Sequence, residues 1–214
     1  MHAPVDGHDH AFLTAGSIAL DLIRRPEVTD RWSQPSALEK MSIGALACHL
    51  GRQLARAADL LPAAAELPTL ESADDHYARA AWVKATSPDD PANDRSTDDA
   101  EAELGPAALH ERAGAALERV RELMDTGAAR EVVPIPWQGW ALRRDDFLLT
   151  RLLEVVVHSD DLAVSIGVPT PQFPDAAFAP VRDLLVRLAV RRHGQSALVG
   201  TLARRERARP VHAF

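Results

Sequence analysis

The chain has 214 residues, 46% of them hydrophobic, and a formal net charge of −7, which allows a real core in one domain with at most a small appendage. The acidic balance, with no long basic stripe ahead of the C-terminal tail, argues against a nucleic-acid partner, and no apolar run approaches the ~18–20 residues of a membrane span. Met1 to Asp6 has no signal-peptide layout, and the single cysteine, Cys48, rules out an internal disulfide; both suit a cytoplasmic protein.

Residues 1–10 are polar and contain His2, His8 and His10. His8-Asp9-His10 reads as a metal tract or as a tail leading into a helix, and the ordinary fate of termini favours the tail. From Phe12 to Arg24, apolar residues fall at helical spacing, and Pro26 ends the run. Trp32 to Ser36 is a loop signal. Ser42 is an N-cap for a second helix that continues to about Leu61, where Pro62 stops it. Its core-facing stripe is Ile43, Leu46, Ala47, Leu50, Leu54, Ala57 and Leu61. His49 falls on the margin of that stripe, either half-exposed or pointing into a cavity between helices. Cys48 reads as packing, since nothing nearby reads as a base held for it.

Ser72 opens a shorter helix through about Lys84, with Tyr77, Ala81 and Trp82 as its larger apolar groups. Residues 86–100 form a turn-rich acidic loop, and its carboxylates read as solvated surface, not as a cation site. Pro106 suits the first turn of a third long helix to about Met124, with Gly127 as its stop. Leu109, Ala113, Ala116, Leu117, Val120 and Met124 supply its stripe. Residues 131–140 hold two prolines and a glycine and predict an extended connection. Its Trp137 and Trp140 either wall a pocket or cap one end of a bundle.

Asp145 or Asp146 begins the most informative segment, which ends near Gly167. Val155, Val156 and Val157 favour a strand. Against them, Asp145 to Ile166 contains no Gly or Pro, and a run this long predicts a buried helix, apolar almost all the way round. In a helix, Glu154 and His158 share a face about 6 Å apart, within reach of one metal ion. In a strand they would be about 13 Å apart, too far for that. A buried carboxylate must be matched by a cation, a metal or a proton. Arg151, three residues earlier, offers a plain salt bridge, and spacing alone leaves the two readings level.

After Pro174, residues 176–192 and 196–205 read as two more helices, the second followed by a basic run. The expected architecture is all-α, with a helical bundle over residues 1–170 and a short helical extension over 171–214. There is no internal repeat.

His49, Glu154 and His158 together form a two-His-one-carboxylate set from two helices that a bundle can bring side by side. Three protein ligands with open positions match a catalytic zinc site, whereas structural sites are closed by four. The same donors admit nickel, manganese or ferrous iron. Asp160 and Asp161 are candidates for orienting an imidazole from behind.

Trp32…Pro35-Ser36-Ala37-Leu38…Ser42-Ile43-Gly44-Ala45-Leu46-Ala47-Cys48-His49-Leu50, followed by Thr150-Arg151-Leu152-Leu153-Glu154-Val155-Val156-Val157-His158-Ser159-Asp160-Asp161-Leu162-Ala163, resembles the mycothiol-dependent maleylpyruvate isomerase family of the DinB-like superfamily. The resemblance covers roughly residues 10–168. It implies a DinB-like four-helix bundle in which the positions of His49, Glu154 and His158 hold a divalent metal, typically zinc. It also implies mycothiol, the low-molecular-weight thiol of actinobacteria, as cosubstrate. A coordinating cation favours the thiolate, which can add to an activated alkene, permit rotation and leave, giving cis–trans isomerisation. Relatives instead transfer the thiolate to an electrophile, and the metal site does not choose between the two.

The carboxylates of an isomerase substrate should meet arginines, whose forks match them. Arg143, Arg144, Arg151 and the C-terminal arginines are candidates, and no motif selects one. The region after Pro174 is shorter than the second domain of the full isomerase, so maleylpyruvate itself does not follow. Two other readings stay open: a metal-dependent hydrolase using water in place of the thiol, and a non-catalytic metal-binding bundle. The expected partner is a small molecule, and a homodimer is compatible with an apolar bundle.

Overall fold

The computed structural model of the chain describes residues 7–85, 87 and 90–214, with the side chain of residue 93 left aside. His2 and positions 86, 88 and 89 of the acidic segment lie outside the described residues. In chain order the elements are α1 (Asp9–Ile23), α2 (Pro26–Asp30), α3 (Ile43–Leu60), α4 (Ala73–Arg79), α5 (Ser96–Glu103), α6 (Gly105–Asp125), β1 (Val132–Ile135), β2 (Trp140–Arg143), α7 (Arg144–Ile166), α8 (Asp175–His193) and α9 (Gln195–Ala203).

The long helices start and stop where local chemistry directs. Ser42 Oγ accepts the Ala45 backbone N–H at 3.0 Å and caps α3. Gly167, at φ 73°, ends α7 in the left-handed conformation that glycine takes without a Cβ penalty. α1 and α3 each pack against both α6 and α7, which puts α6 and α7 on opposite sides of a four-helix bundle. Its centre is aliphatic and aromatic, with Phe12, Ile23, Leu46, Leu50, Leu54, Leu109 and Phe147 all essentially inaccessible. Burial of each such side chain contributes on the order of 1.5–3 kcal/mol. The stripe of α6 closes with buried Leu123, while Met124 is only partly buried.

Three expectations need correction. The helix from Ser72 does not reach Lys84: it ends at Arg79, Ala80 turns extended (ψ 125°), and a 3-10 turn follows over Ala81–Lys84. The break lets Trp82 fold back onto Tyr77, with ring centroids 6.0 Å apart. The acidic segment is not all loop, because α5 begins at Ser96. Asp94 Oδ1 accepts the Ser96 N–H at 2.9 Å, and Asp98 and Asp99 lie in the first helical turn, where negative charge is favoured. The connection over 131–140 is a β-hairpin: β1 and β2 pair antiparallel from Val132–Arg143 to Ile135–Trp140, around a turn at Gly139 (φ 79°).

The C-terminal helices lie on the bundle, α8 against α1, α4 and α7, and α9 against α8. At the other end of the chain, the α2–α3 connection is held by Trp32. Its Nε1 donates to the Ala102 carbonyl at 2.9 Å, and its ring lies so close to Gly44 that an added Cβ would sit 2.5 Å from it. This contact docks α5 on the start of α3. Gly44→Ala is therefore expected to lower stability by about 1–3 kcal/mol in urea unfolding, although alanine is the better helix former. A stability gain would show that Trp32 moves aside freely and that the contact does not hold α5.

Candidate metal centre

α3 and α7 face each other along one edge of the bundle, and this contact assembles the site. Glu154 and His158, one helical turn apart on α7, point to the same place, with His158 Nε2 3.3 Å from Glu154 Oε2. His49 comes from α3, and its Nε2 lies 3.6 Å from the same oxygen. The two imidazoles meet edge to face, ring centroids 4.6 Å apart. One donor atom from each of the three residues lies within 4.8 Å of the others.

The far side of each ring is also fixed by a carboxylate. His49 Nδ1 is 3.1 Å from Asp98 Oδ2, and His158 Nδ1 is 3.0 Å from Asp161 Oδ2. An ionised carboxylate only accepts, so each Nδ1 must carry a proton. In the neutral rings this leaves both Nε2 lone pairs directed at the centre, the tautomer a metal ligand needs. Asp98 is itself 2% exposed. Its Oδ1 lies 2.5 Å from Arg52 Nη2, an ion pair without hydrogen-bond alignment. Arg52 also meets Glu101, which in turn meets Arg112, each at 3.2 Å.

Of the other expected residues, Asp161 backs an imidazole and Asp160 does not: Asp160 is exposed and accepts from Thr170. Arg151 is buried, but it does not pair with Glu154. Its Nη1 donates to Gln53 Oε1 at 2.6 Å and its Nε to Thr150 Oγ1 at 3.3 Å, and among the described residues no Arg151–Glu154 ion pair falls within 4.0 Å. The salt-bridge reading of that pair therefore gives way, and Glu154 turns to the two histidines. His8 lies at the start of α7, its Nδ1 3.1 Å from the Asp145 carbonyl. Cys48 is buried, and burial pushes its thiol up to about 11.

A cavity of about 400 Å³ opens beside the three residues. Trp137 is on its wall, half-exposed, with the Arg56 guanidinium 4.6 Å above its ring. Trp140 stands one layer back, donating from Nε1 to His76 Nδ1 at 3.1 Å. Arg143 is exposed and Arg144 pairs with Asp9 and Glu131; neither lines the cavity, nor do the C-terminal arginines. The cavity arginines are Arg52, Arg56, Arg95 and Arg151, of which spacing pointed only to Arg151.

Asp98, Arg56 and His76 were not legible as site residues. For Asp98 one signal existed: Asp-x-Ser ahead of paired acids is a helix start, and helical spacing would then have placed one acid inward.

In the metal-free chain a proton takes the place of a cation. Burial opposes the Glu154 charge, but the adjoining His158 and His49 rings, with the charges of His158 and Arg151, hold its carboxyl well below the usual range. Burial likewise works against a charged His158, yet the hydrogen bonds and charges of Asp161 and Glu154 raise it from 6.5 to about 9. A raised folded value means that the stabilisation from His158 is complete below pH 6.5 and is lost as pH rises through 9. The depressed Glu154 acts oppositely, its contribution being present above 4.5 and lost as pH falls. The urea midpoint of the chelated protein should therefore fall from pH 6.5 to 9, and Glu154→Gln should flatten the slope. Equal slopes in the two proteins would contradict the coupling.

The fold and site define a DinB-like helical bundle whose two facing helices present a two-His-one-carboxylate set to an open cavity. A family model described as mycothiol maleylpyruvate isomerase N-terminal domain matches residues 13–163, well over half of the chain and all of the residues around the centre. The chain belongs to this family. The curated proteins and the solved structures gave no match.

Proposed function

We propose that the chain is a divalent-metal-dependent enzyme that directs mycothiol, as nucleophile, at a small electrophile, either transferring the sulfur or isomerising a double bond. The observation that carries this reading is the paired arrangement of the two imidazoles: both Nε2 atoms converge on Glu154, and both Nδ1 atoms are held by carboxylates. The donor set fits the group. Two imidazole nitrogens and one carboxylate oxygen suit zinc, and three protein ligands leave positions open on the cavity side. A divalent cation held there by His49, Glu154 and His158 supplies the positive charge that keeps a thiol deprotonated at neutral pH.

The rest is done by the chain's own residues. Asp98 and Asp161 retain the Nδ1 protons and stop the rings from turning. Arg52, 2.5 Å from Asp98, supplies a counter-charge to this buried carboxylate. Leu153, Val157 and Met41 give the cavity an apolar wall, which keeps water from competing for the electrophile. Cys48, buried and held as a thiol, offers no rival nucleophile, so the sulfur comes from outside the chain. In transfer, a C–S bond forms as the leaving group departs with its electron pair. In isomerisation the C–S bond forms, the electron pair moves into the conjugated carbonyl, the single bond rotates, and the same C–S bond breaks. The extension after residue 170 adds Phe214 to the cavity wall, and we assign it a part in shaping the substrate space. No helix among the described residues is long and apolar enough to cross a membrane.

The test is adduct formation between mycothiol and a model alkylating electrophile, followed with zinc-loaded protein. Rates should rise well above the uncatalysed reaction and fall to it in His49→Ala. Asp98→Ala should weaken zinc binding about 10–100-fold while leaving the bundle folded. Ester turnover that proceeds equally well without any thiol would overturn the thiol reading in favour of a hydrolase.

A further inference from the structure

Among the described residues, two donors on the cavity wall meet no protein acceptor. His76, on α4, is 3% exposed and is held edge-on by the rings of Tyr77 and Trp140, at centroid distances of 5.0 and 5.8 Å. An indole nitrogen can only donate, so the Trp140 Nε1 contact at 3.1 Å requires a bare His76 Nδ1. The ring proton is therefore on Nε2. Burial, with the charge of Arg151, lowers the imidazole to about 4, so the ring is neutral near pH 7. Among the described residues its Nε2–H meets no acceptor, and His76 lines the same cavity as the three-residue centre.

Arg56 is the second donor. It lies seven residues beyond His49 on α3, about two helical turns and hence on the same face. Its guanidinium stacks over Trp137, and among the described residues it has no carboxylate within ion-pair distance. The neighbouring cations are committed: Arg52 to Asp98 and Glu101, Arg151 to Gln53. Burial and the charges of Arg151 and Arg52 bring Arg56 down to about 10, which still leaves it cationic at neutral pH. Arg56 is half-buried and lines the cavity, so its guanidinium is open to an acceptor that enters there, and an anionic one gains most from it.

We propose that His76 Nε2–H and Arg56 form a subsite for a carboxylate group of the electrophile, beside the centre built by His49, Glu154 and His158. Trp140 is its positioning residue, locking the imidazole tautomer, and Trp137 holds the guanidinium flat. The role of this ligand as substrate rests on the function proposed above; the subsite itself needs neither metal nor thiol.

That difference sets the experiment. The full chain, metal-free and zinc-loaded, is titrated with benzoate and with neutral benzamide while the histidine ring nitrogens are followed by NMR. The His76 ring proton should be found on Nε2, and benzoate should move that resonance in both forms and bind more tightly than benzamide. Arg56→Gln should weaken benzoate about tenfold or more without altering benzamide, and Trp140→Phe should weaken it by freeing the tautomer. A ring proton on Nδ1, or benzoate binding in the metal-free chain that ignores Arg56→Gln, would overturn the subsite. Benzoate binding that follows these expectations in a protein inert toward mycothiol would leave the subsite standing and remove the thiol function.

Discussion

A carboxylate inside an apolar helix has to be answered by positive charge, and most of this structure can be derived from how Glu154 is answered. Glu154 reaches the cavity with only 14% of its side chain exposed, so little water screens it, and Arg151 turns away to Gln53. What remains are two imidazoles from two helices, both presenting Nε2 to a single oxygen. Behind them stand two more carboxylates, Asp98 and Asp161. Three acids around two imidazoles, with Arg52 the one arginine directly paired to them among the described residues, make a cluster that gains from a further cation. Without metal that cation is a proton shared around His158.

This requirement reaches well beyond the centre. Asp98 can back His49 only if α5 is docked on α3, and that docking runs through Trp32, its bond to Ala102, and the absence of a side chain at Gly44. The β-hairpin between α6 and α7 serves the other side of the cavity. It carries Trp137 to Arg56 and Trp140 to His76, two contacts that hold donors in place. Phe214, from the far end of the chain, joins Tyr77 and Trp82 at ring distances of 5.4 and 4.9 Å and completes an aromatic wall.

How far the sequence carried the argument depended on whether a residue's role was set locally. Glu154 and His158 were legible as a pair because one helix places i and i+4 together, but spacing left metal and salt bridge level and His49 only on the margin of its stripe. It was the resemblance to the isomerase family that joined the three as metal ligands. The long helices were legible locally, their stripes and stops being written in spacing, proline and glycine. Asp98 was read as solvated because it lies in an acidic stretch, and its burial is decided by a tryptophan far away in sequence. Arg56 and His76 carry no motif, since what places them is the cavity they line, and only the assembled fold reveals that. The hairpin escaped because Pro134 and Pro136 read as interruption, although an edge strand and its turn tolerate both.

The central claim is that His49, Glu154 and His158 form one divalent-metal site. Metal content per chain, measured by plasma mass spectrometry on protein purified without added metal and again after zinc incubation and desalting, tests it most directly. The account predicts about one divalent ion per chain in the wild type and none in His49→Ala or His158→Ala, with both variants still helical by circular dichroism. A wild type that holds no metal even after incubation, or variants that keep it, would contradict the account.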